Sequence, residues 1–284
     1  YTTQLTFASS FMKTEKKIEV ILPRPAQPGM VGDGFRVYNY FPNGYRIREK
    51  ISPFLMLDFA PAFHFGPSAV PRGVGVHPHK GFETVTIAYK GSVEHADSRG
   101  HRGVIHPGDV QWMTAGAGIL HKEFHETAFS KQGGLFEMVQ LWVNLPARDK
   151  GTAPAYQSLS STDIPHYQQA DGQVDVAVIA GQCEEVIGKA HTFTEMNVWD
   201  VRMKQGAAWT MEIPATHQTG ILVIEGQVKV NEQPATEHAF VLFGMDGERI
   251  QVQTDAGATL LVLSGVPIRE PVAQYGPFVM NTPE

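Results

Sequence analysis

Cysteine is nearly absent from this sequence, since Cys183 is the single one among 284 residues. An intrachain disulfide is therefore excluded, and so low a cysteine content is typical of a reducing compartment. Long apolar runs are missing too, because no stretch approaches the roughly 20 residues that a membrane helix requires. We therefore expect a cytoplasmic protein, or a nuclear one if the source is eukaryotic, without a membrane partner.

Positive charge is also scarce. Lys and Arg number 23 against 29 Asp and Glu, which gives a formal net charge of −6. Binding to a phosphate backbone needs a surplus of basic side chains, so direct binding to nucleic acid is not expected. The first residues lack the basic start and apolar run of a secretory signal. Residues 1–12 are left out of the fold prediction.

Glycine and proline are abundant, with 28 and 19 residues. They separate short segments of strand-like composition, such as "FRVYNYF", "MVQLWVNL" and "TGILVIEGQVKVN". Strands that recur at this short spacing are typical of β-sandwiches and β-barrels. The sequence therefore predicts an all-β fold.

The chain divides at a stretch of different composition. Residues 147–172 are rich in Pro, Ser, Gln and Ala and show little apolar periodicity, which predicts a linker between domains 13–146 and 173–284. A weak internal repeat supports two similar barrels, because "IAYKGSVEH" (87–95) resembles "LVIEGQVKV" (222–230). The alternative is that both segments are a common tight turn between strands.

Histidines are concentrated in the first half. Eight of the 12 fall within about sixty residues, and "HPHKGFETV" carries His77 and His79 two positions apart. On a strand such residues share one face, with their Cα atoms roughly 6.6 Å apart. Both imidazoles can then converge on one metal ion.

A second pair of candidate ligands occurs in "HKEFHE", where His121 and Glu123 share strand parity. If the two strands face one another in a barrel, three imidazoles and one carboxylate surround an ion and leave up to two octahedral positions open. Glu83 is an alternative carboxylate, which would require a bend of the chain at Gly81. Isolated histidines on strands are more often structural, but two such pairs favour a metal site.

Four longer motifs resemble the pirin family of the cupin superfamily: "HPHKGFETVT", "GSVEHADSRGHRGVIHPGDVQWMTAGAGILHKE", "VQLWVNLP" and "GVPIREPVAQYGPFVMNT". The resemblance implies two cupin-type β-barrels arranged as a bicupin. It also implies one divalent metal per chain, held in the first barrel by His77, His79, His121 and Glu123. Fe(II) is the expected metal, while sites of this composition also accept Mn, Ni, Cu or Zn.

The second barrel is expected to lack metal ligands. Aligning Gly91 with Gly226 replaces the four ligands, in order, by Glu212, Pro214, Ala256 and Ala258. His217 is the imidazole nearest to these positions. The remaining histidines of this half are scattered rather than paired, so we expect them to be structural.

The resemblance also implies an activity, since several pirins are quercetin 2,3-dioxygenases that cleave flavonols with O2 and release carbon monoxide. Glu123 would then act as the catalytic base toward the substrate hydroxyl. An apolar pocket for a flat aromatic substrate would include Phe82, Trp112, Met113 and Phe124, unless these residues are ordinary core. The alternative is an iron-dependent transcriptional co-regulator, or another regulator that binds a protein partner without turnover.

Overall fold

The structure is a computed structural model that describes residues 13–284. Residues 1–12 lie outside the described range. Within it the regular elements are strands, apart from the short helix α1 (Thr127–Gln132) and the 3-10 turns Arg48–Lys50 and Ala147–Asp149. No helix in this part of the chain is long and apolar enough to cross a membrane. The all-β prediction is confirmed.

The strands are short, and many are joined by turns that contain glycine at positive φ, such as Gly81 (86°) and Gly91 (75°). The first half contains β1 (Ile18–Leu22), β2 (Gly29–Val31), β3 (Phe35–Phe41), β4 (Phe54–Phe65), β5 (Gly73–His79), β6 (Phe82–Lys90), β7 (Val93–Asp97), β8 (Arg102–Ile105), β9 (Val110–Thr114), β10 (Ile119–His125), β11 (Gly134–Asn144) and β12 (Ala155–Leu159).

The second half continues with a similar succession of short strands. They are β13 (His166–Gln168), β14 (Val174–Ala180), β15 (Gln182–Cys183), β16 (Val186–Ile187), β17 (Met196–Met203), β18 (Ala208–Glu212), β19 (Gln218–Gly226), β20 (Val228–Val230), β21 (Gln233–Ala235), β22 (Phe240–Phe243), β23 (Arg249–Gln253), β24 (Ala258–Gly265), β25 (Ala273–Tyr275) and β26 (Phe278–Met280).

Most of these strands form two barrels of the same design, while β15-β16 and β25-β26 are separate two-stranded sheets. The first barrel combines a four-stranded sheet, β5-β10-β7-β8, with a seven-stranded sheet, β12-β9-β6-β11-β4-β3-β2. The second combines β18-β23-β20-β21 with β1-β22-β19-β24-β17-β14-β13. Each strand of one barrel therefore has a counterpart in the other, with β6 matching β19 and β10 matching β23. The prediction of two cupin-type barrels is confirmed.

The pairing of the outer strands differs from the domain division expected from the sequence. Strand β1 lies in the expected first domain but pairs with β22 of the second barrel. The expected linker 147–172 contains β12, which pairs with β9 of the first barrel, and β13, which pairs with β14 of the second. These outer strands are largely exposed on one side, so their residues carry no strong apolar pattern to reveal them.

The two seven-stranded sheets pack against each other through one apolar core. It contains Val85 and Leu141 of the first barrel together with Leu222 and Leu261 of the second. All four side chains are fully buried. Removal of so many apolar side chains from water stabilises the bicupin as one unit.

Candidate metal centre

The three predicted histidines meet at one end of the four-stranded sheet of the first barrel. Strands β5 and β10 are antiparallel neighbours, and His121 is the cross-strand partner of His77. The ring centroid of His79 lies 4.8 Å from that of His77 and 4.7 Å from that of His121. One nitrogen of each ring falls within 4.8 Å of the other two. The two strands lie side by side in one sheet, whereas the sequence had suggested that they face each other.

The buried nitrogens of this group lack hydrogen-bond partners. His79 and His121 are 4% and 2% exposed. No partner is present for Nδ1 of His79 or for either ring nitrogen of His121. A buried polar atom without a partner is costly, and coordination of a cation would remove that cost. The donor set therefore fits a divalent metal.

Burial also keeps these rings in the form that binds metals. It lowers the pKa of His79 to about 2, and the neighbouring His121 and His77 lower it further. Burial likewise lowers the pKa of His121. Both imidazoles are therefore neutral at physiological pH, with lone pairs available for coordination.

His77 is oriented by its own strand. Its Nδ1 lies 2.8 Å from the carbonyl oxygen of Gly75, which leaves Nε2 free for the shared site. The ladder shifts at this point, because His121 pairs with His77 whereas Glu123 pairs with Val74. Such a bulge bends the strand and re-aims its side chains.

Glu123 lies beside the three histidines, although its carboxylate is outside their 4.8 Å group. The side chain is 5% exposed. Its oxygens are 3.4 and 3.5 Å from Nε2 of Gln140, which are long hydrogen bonds. Its cross-strand partner on β7 is His95. The carboxylate is thus held in the barrel interior by a weak amide contact.

Glu83 lies in different surroundings. The bend at Gly81 is present, but it leads the chain into the seven-stranded sheet, where Glu83 shares parity with Val85 of the core between the barrels. Glu83 is fully buried and accepts a hydrogen bond of 2.7 Å from Oγ1 of Thr114. Burial raises the pKa of Glu83 to about 7. Glu83 is therefore a core carboxyl group outside the histidine cluster.

The four apolar candidates take different places. Phe82 packs against the ring of His79 at 5.2 Å. Trp112 belongs to the core between the barrels, and Met113 packs with Ile119. Phe124 lines a surface groove with Lys122. Of the four, Phe82 is the one in contact with a candidate ligand, and Trp112 serves the core.

Several neighbours of the site were missed by sequence reasoning. The ring of Trp142 lies 5.5 Å from that of His79, and its Nε1 is buried without a partner. Gln140 contacts Glu123, and Tyr156 of β12 stacks on His95 at 5.5 Å. Gln140 and Trp142 share one face of β11, so the alternation in "VQLWVNLP" was an available sign of both.

At the corresponding end of the second barrel the expected ligands are replaced, but not as the sequence alignment predicted. The partner of Glu212 across the sheet is Arg249 on β23. The placement of Ala256 and Ala258 opposite the predicted ligand positions is therefore wrong. Loop lengths differ between the barrels, so the offset set at Gly91 does not extend to this strand.

His217 is occupied by hydrogen bonds. Its Nδ1 lies 3.0 Å from Oγ of Ser264, and its Nε2 lies 3.1 Å from a carboxylate oxygen of Glu195. It lines a cavity of about 600 Å³ together with Cys183. Burial raises the pKa of the Cys183 thiol to about 12, so this cysteine is not an activated nucleophile.

Comparison with known proteins identifies the family. The Pirin profile matches residues 34–143, and that of the Pirin C-terminal cupin domain matches residues 198–284. A Pseudomonas aeruginosa protein named "Putative quercetin 2,3-dioxygenase PA2418" is 46% identical over 254 residues, which are 89% of this chain and 88% of that protein.

Solved structures show the same relationship. A quercetin 2,3-dioxygenase from Acinetobacter baumannii is 45% identical and has a TM-score of 0.91, covering 95% of this chain and 93% of that one. The bacterial pirin YhhW from Escherichia coli, in complex with nickel(II), shares the fold at 21% identity and a TM-score of 0.66, covering 88% of this chain and 100% of that one. The chain, with its two cupin barrels, belongs to the pirin family.

Proposed function

We propose that this pirin is a metal-dependent dioxygenase that cleaves flavonols, of the quercetin 2,3-dioxygenase type. The observation that carries the proposal is the convergence of His77, His79 and His121, with buried and unpartnered nitrogens, at the end of the first barrel. The names of the relatives at 46% and 45% identity supply the substrate class and O2 as the second substrate.

The three histidines and Glu123 would hold one divalent metal per chain, and Fe(II) is the metal we propose. Glu123 follows His121 by two residues on the same strand face, so a change of its side-chain rotamer would bring the carboxylate toward the rings. A bound ferrous ion would supply the Lewis acidity and the redox chemistry that reactions with O2 require. Mn, Ni, Cu and Zn are the alternatives to test.

Glu123 is also the proposed catalytic base. A carboxylate beside the incoming flavonol can accept the proton of the substrate 3-hydroxyl group, and that of Glu123 is buried on the strand that carries His121. Gln140 donates to this carboxylate from β11 and thereby orients it. Phe82 and Trp142, which pack against His79, exclude water from that side of the site.

The test is turnover of quercetin by the full chain after anaerobic loading with Fe(II) and exposure to air. We expect quercetin consumption with release of carbon monoxide, and loss of both in His77→Ala. Glu83→Gln is the matched control, since it changes a buried carboxyl group of the same barrel outside the histidine cluster. It should retain activity.

The result would decide between enzyme and regulator. Wild-type turnover no greater than that of His77→Ala, across several flavonols and with each candidate metal, would contradict the dioxygenase proposal. The metal would then serve the stability of the barrel or the binding of a regulatory protein partner.

A further inference from the structure

The turn that follows His79 is held by a strand from the other end of the chain. The amide of Lys80 donates to the carbonyl oxygen of Pro277 at 3.1 Å, and the amide of Val279 donates to the carbonyl oxygen of Lys80 at 3.0 Å. At Gly81 a Cβ atom would stand 2.0 Å from the carbonyl oxygen of Val279. Strand β26 therefore fits closely against the backbone directly after a candidate ligand.

Lys150 lies at the centre of this junction. Its side chain donates three hydrogen bonds, to the carbonyl oxygen of Gly81 at 2.8 Å, to Oδ1 of Asn144 at 2.8 Å and to the carbonyl oxygen of Val279 at 2.9 Å. An ammonium group has three donors, so all of them are used. The residue is 3% exposed, and burial lowers its pKa to about 8. It therefore remains mostly charged at neutral pH.

The same junction has an apolar side that reaches His79. Val279 packs with Phe82 and Leu55 in a small buried cluster, which Trp142 also contacts. Phe82 and Trp142 in turn pack against the ring of His79, at 5.2 and 5.5 Å. The backbone after His79 and the surroundings of its ring thus depend on the position of Val279.

We propose that Lys150 is a positioning residue of the metal centre, which fixes His79 by joining the Gly81 turn to Asn144 and to the C-terminal strand β26. The inference rests on the proposed metal site, to which it adds a role for a lysine that does not touch the metal. Groups that orient metal ligands without touching the metal typically contribute about 10- to 100-fold to metal affinity.

Thermodynamic linkage gives this role a second consequence. If the joined conformation of the turn favours metal binding, metal binding must stabilise that conformation by the same factor. The amides of Lys80 and Val279 report on the junction, because they form the hydrogen bonds between the turn and β26.

The first experiment compares Lys150→Met with Lys16→Met in the full chain. Lys16 is a fully buried lysine whose Nζ donates to the carbonyl oxygen of Gly247, far along the sequence from the histidines. Both variants remove a buried ammonium group and should unfold at lower temperature. We expect Lys150→Met to bind Co(II) about 10-fold or more weakly than wild type, with an altered Co(II) absorption spectrum. Lys16→Met should bind as wild type does.

A Co(II) affinity and spectrum of Lys150→Met equal to those of Lys16→Met would overturn the inference and leave the metal centre intact. Failure of the wild type to bind Co(II) or Fe(II) would instead contradict the metal centre itself, and the inference with it. The two failures are therefore distinguishable.

The second experiment needs no variant, so it holds if Lys150→Met does not fold. Hydrogen exchange of the wild type is measured with and without saturating Co(II). We expect exchange of the Lys80 and Val279 amides to slow by about 10-fold on metal binding, as reciprocity requires. The amide of Lys16, which donates to the carbonyl oxygen of Arg249, should be unaffected. Equal exchange at Lys80 and Val279 with and without metal would refute the coupling.

Discussion

The two barrels have the same strand order but different interiors. In the first, buried polar side chains such as Thr86, His95 and Glu123 face inward, and the orphaned nitrogens of the histidines lie among them. In the second, Ile221 takes the place of Thr86 when Gly91 is aligned with Gly226, and it packs with Ile250. The fold is thus determined by the pattern of apolar residues in the strands and by the turns between them. The chemistry depends instead on a few residues at the end of two strands.

The corresponding cross-strand positions show the difference most clearly. The cross-strand partner of His77 in the first barrel is His121, whereas that of Glu212 in the second barrel is Arg249. The imidazoles of His77 and His121 can present lone pairs to a cation, whereas the carboxylate of Glu212 is already paired with the ammonium group of Lys13 at 2.5 Å.

The largest expected effect concerns metal stoichiometry in the full chain. We expect one equivalent of Fe(II) or Co(II) in the wild type and none in the double variant His77→Ala/His121→Ala, because the second barrel offers no equivalent pair of imidazoles. Elemental analysis after dialysis checks this. Two equivalents in the wild type, or one in the double variant, would contradict the assignment and direct attention to His217. An isolated second half is unsuitable, since it would lack β1.

Replacing one histidine in each barrel should distinguish a residue that binds the metal from one that only stabilises the fold. His121→Ala removes a buried candidate ligand and should lower metal affinity by at least about 100-fold, beyond the effect of losing a residue that only orients ligands. His217→Ala should bind metal as wild type but lose about 1–3 kcal/mol of unfolding free energy, because its partner Ser264 is buried. Metal titration and denaturant unfolding measure the two quantities. Similar metal affinity of both variants would contradict the contrast.

Glu123→Gln keeps the shape of the side chain but removes its charge and its capacity as a base. We expect kcat for quercetin to fall by about 10²- to 10⁴-fold, with metal still bound more tightly than in Glu123→Ala. Steady-state kinetics of metal-loaded protein measure the change. Glu137→Gln is a control, since this buried glutamate of the same barrel pairs with Lys90 instead. An unchanged kcat in Glu123→Gln would assign the proton transfer to another group.

The last expected effect is a change of stability that appears only at higher pH. Glu83 of the first barrel aligns with Gln218 of the second, so Glu83→Gln installs the residue type of the second barrel. The folded protein raises the pKa of Glu83 from 4.5 to about 7, so the neutral form is favoured and this group costs stability as the pH rises between these values. Glu83→Gln should therefore gain about 2–3 kcal/mol relative to wild type at pH 8, and little at pH 4. Urea unfolding at both pH values tests this, and a pH-independent difference would contradict it.

Part of this molecule was predictable from local pattern. The spacing of His77 and His79 places both rings on one strand face, and the structure brings His121 to them. The short segments between glycines gave the all-β class. The alternation of residues along a strand indicates which face of the sheet each side chain lies on. This alternation is clearest in a strand that has one buried and one exposed face.

The remainder depends on contacts between distant parts of the chain. Residues 155–159 resemble a linker, yet they form β12 and bring Tyr156 to His95. Nothing in the residues around Lys150 in the sequence indicates that its ammonium group joins three segments of the chain. Such contacts follow from tertiary packing, which overrides local composition.

The pairing of β1 with β22 of the second barrel has a consequence for biosynthesis. Strand β1 precedes the other described strands in the sequence and is synthesised before them, whereas its partner β22 is made only after the whole first barrel. The first barrel can close as soon as β12 has been made, whereas β1 has no partner until the later strand β22 of the second barrel has been synthesised. Pairing between chain ends is slow because it closes a long loop. Strand β1 therefore stays unpaired for the longest part of synthesis, and its uncovered edge is the one most exposed to aggregation in a nascent chain.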